Sequence, residues 1–140
     1  MTVHLGITPR IVDGVMIVDL VGELSRRGPS INNAVKELLE QGWSSFVLNI
    51  SGVSYVDSSG LGQLVSIWTS VGNRGGQLIL LRPAPQVHAQ LQMTKLNTVF
   101  IILQNEEEAV RRIQKVVRTQ ALHYLKVFLG IRIRSQRAGV

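Results

Sequence analysis

The sequence predicts an α/β domain built on a mixed, mostly parallel five-stranded sheet with about four helices. Three observations carry this. Five short runs rich in Val, Ile and Leu alternate with segments of helical period, the pattern of repeated strand–helix–strand units. Asp13-Gly14 separates the first two runs, a hairpin signal that makes the first strand an antiparallel edge. The chain has 140 residues, 45% of them apolar, and no cysteine, which suits one domain with its own core and no disulfide framework.

Each element has its own local reason. Residues 2–8 (TVHLGIT) alternate polar and apolar, with Val3, Leu5 and Ile7 on one face and Pro9 as the expected end. Residues 15–21 (VMIVDLV) are nearly continuous apolar and β-branched, as a buried strand requires, and Gly22 is the expected stop. Ile31, Val35, Leu38 and Leu39 share a helical face, with Pro29 suiting the first turn and Gly42 the end. Residues 46–50 (FVLNI) form a third, short strand. Asp57 caps a helix in which Leu61, Leu64, Val65 and Trp68 repeat at helical spacing, running to about Asn73 and ending at Gly75-Gly76. Residues 77–81 (QLILL) form the fourth strand. Pro83 and Pro85 open a helix carrying Val87, Leu91 and Met93, and residues 99–103 (VFIIL) form the fifth strand. Asn105 caps a last helix that starts with Glu106, Glu107 and Glu108, the sign a helix N-terminus favours.

Charge is divided unevenly. Residues 1–110 hold seven Lys+Arg and nine Asp+Glu, whereas residues 111–140 hold eight Lys+Arg and no acid. The expected domain, residues 1–113, is therefore nearly neutral and no nucleic-acid binder, and residues 114–140 form a basic extension. No secretory signal and no run long enough to span a bilayer is visible, so a soluble cytoplasmic protein is expected. Catalysis finds little support. His4, His88 and His123 are scattered, and neither a phosphate-binding Gly-Lys loop nor a Gly-x-Ser-x-Gly elbow occurs. Neighbouring glutamates at 106–108 point to different sides of a helix and cannot converge on one metal ion. No cofactor is expected.

Asp57-Ser58-Ser59-Gly60 stands out. It follows a buried strand where a helix begins, on the side of an open α/β sheet that faces ligands. A helix N-terminus tolerates negative charge, so a phosphoryl group on Ser58, about −1.5 to −2 at neutral pH, would not disrupt the helix. On capping physics alone the plainer reading, a helix cap and nothing more, carries the greater weight.

The segment Val56-Asp57-Ser58-Ser59-Gly60-Leu61-Gly62 resembles the signature of STAS-domain anti-sigma factor antagonists. Gly22-Glu23-Leu24 is similar to the family's Gly-x-Leu element, Gly75-Gly76-Gln77-Leu78 to its Gly-Gly turn, and the stretch holding Leu91, Leu96 and Phe100 to its later helix and strand. The likeness runs from about Val3 to about Ile113. It implies the STAS fold and a non-enzymatic switch. Ser58, or less favourably Ser59, would be phosphorylated by an anti-sigma factor that is also a serine kinase. The unmodified protein would bind that partner and free the sigma factor, and a protein phosphatase would reset the system. Ser59 would serve the helix start, though the residues alone do not separate the two hydroxyls. The implied docking surface comprises Ser25, Asp57, Ser58, Ser59, Leu61 and Gly62 on a monomer or weak dimer. Ser25 departs from the family, which commonly has Asp there, and Arg26-Arg27 make this loop unusually basic.

Two rival expectations remain: a scaffold subunit within a larger signalling assembly, and an enzyme or small-ligand binder on the same fold. The basic extension also has two readings. It can lie on an anionic membrane or bind an acidic partner. The favoured one is plainer: a longer final helix that packs its apolar face on the domain and ends in an Arg-rich segment.

Overall fold

The computed structural model describes residues 4–130, which form a single sheet with strand order β1-β2-β3-β4-β5. Strands β1 (Leu5–Val12) and β2 (Val15–Leu24) are antiparallel. Asp13 and Gly14 join them with φ of 49° and 78°, the left-handed pair that a tight hairpin requires. Strands β3 (Phe46–Val56), β4 (Leu78–Leu81) and β5 (Ile101–Leu103) continue the sheet in parallel with β2.

Three strand ends differ from expectation. The first strand runs through Pro9, which sits opposite Val18. An edge strand tolerates proline because every second N–H faces away from the sheet. Strand β2 continues past Gly22 to Leu24, with register shifts between Asp19 and Val21 and between Gly22 and Glu23. Gly22 has φ of 118°, and a Cβ there would overlap the His4 carbonyl oxygen, so this glycine permits an irregular strand instead of ending it. Strand β3 extends beyond Ile50 to Val56, where it stays beside Leu24. The last shift matters most, because it delivers Ser25 and Asp57 to the same end of the sheet.

Helices α1 (Ile31–Glu40), α2 (Ser58–Asn73) and α3 (Pro85–Met93) are the three crossovers. Each successive strand adds to the same edge, so crossovers of one hand put all three on one face. There Val18, Phe46, Leu48 and Leu80 meet Val35, Leu64, Ile67 and Leu91 in the main core. The four predicted residues of α1 are its buried ones, but Ser30, not Pro29, provides its start, accepting from the Asn32 N–H at 3.2 Å. Met93 is 84% exposed and takes no part in the core. A short 3-10 turn, Leu96–Thr98, precedes β5 and shortens it relative to the predicted strand.

Helix α4 (Glu106–Phe128) covers the opposite face, where Ala109, Val110 and Ile113 pack on Val15, Ile17, Val47 and Ile79. Asn105 caps it as predicted, accepting from the Glu108 N–H at 2.9 Å. Glu106 is more than part of a solvated start. Arg10 on β1 bridges it to Asp19, with Arg10 Nε 2.6 Å from Asp19 Oδ2 and Arg10 Nη1 3.2 Å from Glu106 Oε2. Asn49 also donates to Asp19 at 2.8 Å.

This cluster makes stability depend on acidity. Burial raises the Asp19 carboxyl, but hydrogen bonds from Arg10 and Asn49 outweigh it and hold the group below its ordinary range. The Arg10 hydrogen bond likewise lowers Glu106. Both groups bind protons more readily when unfolded. Their contribution is therefore complete above the ordinary carboxylate pKa, about 4, and is lost as pH falls through the depressed folded values. Arg10→Met is expected to lower stability at neutral pH by about 1 kcal/mol, the scale of a half-exposed bridge. In acid titrations followed by circular dichroism, the variant's stability should fall less steeply below about pH 4 than that of the parent. Parallel curves would show that the cluster contributes nothing.

Candidate functional site

Leu24 and Val56 are register partners at the carboxyl ends of β2 and β3, and the Asp57 N–H donates to the Leu24 carbonyl at 3.3 Å. The two chains diverge from this point. One forms the loop of residues 25–30 leading to α1, and the other turns at once into α2. Asp57 is extended, with φ of −98° and ψ of −176°, and its Oδ1 accepts from the Gly60 N–H at 2.8 Å. This satisfies one of the free amides of the first turn. Oδ2 lies 3.4 Å from the Arg26 N–H, so the cap also touches the neighbouring loop.

Ser58 and Ser59 are the first two residues of α2. Ser58 is exposed and Ser59 half-buried, and neither hydroxyl makes a hydrogen bond among the described residues. The helix start is held by Asp57 through the Gly60 N–H. Gly60 is buried, and a methyl group on it would overlap the Leu24 carbonyl oxygen and sit 2.9 Å from Val56 Cγ1. Only glycine lets α2 approach the ends of both strands this closely. Gly62 has nothing within 4 Å of an added Cβ and leaves bare backbone at the surface. Leu61 is half-buried and packs partly against the main core.

Ser25 departs from the expected docking set. It is 3% exposed, and its hydroxyl accepts from the Arg27 N–H at 3.3 Å, so it shapes the loop from inside. The exposed side chains of that loop are Arg26, Arg27 and Pro29. A further organiser is Gln63. Its Nε2 donates to the Ser25 carbonyl at 3.4 Å and its Oε1 accepts from the Ile31 N–H at 3.1 Å, clasping both ends of the loop to α2. Nothing in the sequence marked it, because a glutamine two turns into a helix reads as an ordinary solvated residue. From α3, Gln90 donates to the Val56 carbonyl at 2.7 Å and Gln86 to the Ser54 carbonyl at 3.2 Å, fixing the strand end from its other side.

The buried face of α2 also differs from expectation. Gly60, Leu64, Ile67 and Val71 form it, while Val65 and Trp68 (44% exposed) face outward. With Leu61 they make an apolar stripe that starts one turn from Ser58. Chemically, the site offers a free hydroxyl at the positive end of a helix, beside a loop whose Arg26 backbone N–H reaches the Asp57 cap. His4 does approach an acid, with Nδ1 3.7 Å from Glu23, a pairing the sequence did not suggest. Among the described residues no group of three or more metal-binding side chains converges.

The STAS domain matches residues 7–109. An anti-sigma F factor antagonist of Paenibacillus polymyxa is 29% identical over 105 residues, covering 74% of this chain and 90% of its own. Among solved structures, the Thermotoga maritima protein TM1081 superposes with a TM-score of 0.70 at 28% identity, over 81% of this chain and 93% of that one. The Bacillus cell fate determinant SpoIIAA in its phosphorylated form gives a TM-score of 0.61 at 25% identity, over 77% and 99%. Matched from its first strand into its last helix, and aligned with these relatives over nearly their whole length, the chain belongs to the STAS domain family and groups with its anti-sigma factor antagonists.

Proposed function

We propose that this protein binds an anti-sigma factor that is also a serine kinase, and that phosphorylation of Ser58 ends the complex. As a STAS domain the chain is a non-catalytic regulatory module, so in this reading Ser58 is a substrate, and a protein phosphatase restores the binding form. The observation that carries the reading is the exposed, unpartnered Ser58 hydroxyl at the mouth of α2, beside the apolar stripe of Leu61, Val65 and Trp68. A relative whose structure is known in a phosphorylated form adds support. The docking surface in this reading holds Asp57, Ser58, Ser59, Leu61 and Gly62, with Arg26 and Arg27 in place of the buried Ser25.

Electrostatics supplies the switch. Arg26, Arg27 and Asp57 together carry one net positive charge. A phosphoserine adds about −1.5 to −2 and reverses that sign. A partner surface complementary to the first state is repelled by the second.

The test is direct. The purified protein is incubated with its anti-sigma factor and ATP, and the modified residue is mapped by mass spectrometry. Phosphate is expected on Ser58 and should be absent from Ser58→Ala. Modification confined to Ser59 or elsewhere, or none at all, overturns the proposal.

A further inference from the structure

Helix α4 outruns the sheet it covers. Its last buried side chain is Ile113, and from residue 114 to residue 130 none is buried. Gln114 donates to the Asp13 carbonyl at 3.0 Å, and Gln120 donates to the Gly75 carbonyl. Those loops precede β2 and β4, so α4 leaves the sheet at the end opposite Ser58, which follows β3. The favoured expectation, that this segment packs its apolar face on the domain, is therefore not met beyond Gln120. The face that docks through Val110 and Ile113 still continues at helical spacing, through Val117, Tyr124, Val127 and Phe128, all exposed. Tyr124 and Phe128 lie with ring centroids 5.1 Å apart, and Phe128 is 69% exposed. Lys115, Arg118 and Lys126 fall on the other side of the helix.

The outcome is a step. The domain stands on the stripe's side of α4 as far as Gln120, and past Gln120 that side is open. A broad, flat partner cannot reach the stripe, because the domain is in its way. A single helix, about 10 Å across, can enter the step. We propose that the helix is the same segment of a second copy. The two α4 ends pair antiparallel about a two-fold axis, each filling the step beneath the other's domain.

Charge, shape and area argue for that occupant. The stripe holds no charged residue, and the three cations point away from it. Pairing stripe to stripe therefore leaves every cation in solvent and sets no like charges face to face. An acidic partner would be drawn to the opposite side of the helix. A two-fold contact needs one self-complementary patch, and an apolar stripe on a projecting helix is such a patch. Pairing these four side chains buries about 400 Å² per copy, and the flanking Val116, Ala121 and Leu125 bring the contact near the roughly 1,200 Å² in total at which stable interfaces begin. The domains then lie at opposite ends of the helix pair. Both Ser58 hydroxyls face outward, so the dimer presents two free α2 mouths.

Sedimentation equilibrium of the full-length protein tests this. A monomer–dimer equilibrium with a dissociation constant on the order of 10 μM is expected, the scale of a contact at the small end of the stable range. Tyr124→Ser with Phe128→Ser should weaken association at least about 100-fold, because four aromatic side chains leave the interface. The same variant should keep the thermal transition of the dilute parent, since both side chains are exposed in the monomer. Lys115→Gln with Lys126→Gln should not weaken association. A protein that stays monomeric up to about 1 mM overturns the proposal. So does a dimer that the aromatic variant leaves intact, because another surface would then hold it. A dimer that the lysine variant dissolves equally overturns it, because the contact would then lie on the charged side of α4.

Discussion

Gly60→Ala is expected to lower unfolding stability by about 3 kcal/mol, although alanine is the better helix former by about 1 kcal/mol. The new methyl group would overlap the Leu24 carbonyl oxygen, and neither side can retreat freely. Leu24 is held in the β2–β3 ladder opposite Val56, and its carbonyl accepts from the Asp57 N–H at 3.3 Å. On the other side, α2 is fixed by its Asp57 cap and by burial of Leu64, Ile67 and Val71. Relief requires either parting the strand ends or lifting the first turn of α2, and both displace Ser58. Gly62→Ala is the internal control. Its added Cβ meets nothing within 4 Å, so it should stabilise by about 0.5–1 kcal/mol through helix propensity alone. Urea unfolding of the two variants against the parent reads both numbers. If the two substitutions shift stability in the same direction and by similar amounts, close approach at Gly60 is not what sets the geometry of the site.

Much of this arrangement is legible in the residues because local chemistry and the fold agree. Asp13-Gly14 could hardly be anything but a tight turn, and Asp57 and Asn105 cap the helices they were expected to cap. Alternating strands and helices behind an opening hairpin gave the mostly parallel sheet with its antiparallel first strand. The strand ends are less legible because Pro9, Gly22 and the polar residues after Ile50 are breakers only in isolation. An edge position, a bulge and a neighbouring strand each make them tolerable. The inner face of α2 was misjudged for a related reason. Leu61, Val65 and Trp68 fit helical spacing as well as Leu64 and Ile67 do, and periodicity alone does not say which of two apolar stripes meets the sheet. That ambiguity is informative, since a helix with two apolar stripes has one left over for a partner. Gln63 was beyond sequence reasoning because its role exists only across 38 residues of chain, between its side-chain amide and the Ser25 carbonyl. The Arg10, Asp19 and Glu106 cluster spans 96 residues and is hidden in the same way.

Ser58→Asp is expected to weaken binding to the kinase-type anti-sigma factor roughly 100-fold, whereas Ser58→Ala should bind like the parent and resist inactivation by ATP. A like charge brought against a complementary surface costs several kcal/mol at a desolvated contact, and about 2.7 kcal/mol is 100-fold in affinity. The obvious objection, that the aspartate variant simply misfolds, can be answered from the geometry. Ser58 is exposed and begins α2, where a carboxylate interacts favourably with the free amides and the helix dipole, by about 0.3–1 kcal/mol. Its melting temperature should therefore equal or exceed that of the parent while its affinity falls. Salt separates the mechanisms further. Repulsion between exposed charges is screened at high ionic strength, so the affinity gap between the Asp and Ala variants should narrow as salt is raised. A steric cause would leave the gap unchanged. Isothermal titration of both variants at two salt concentrations, alongside their melting curves, reads all of these quantities. Equal affinities at low salt would remove charge at the mouth of α2 as the determinant of docking.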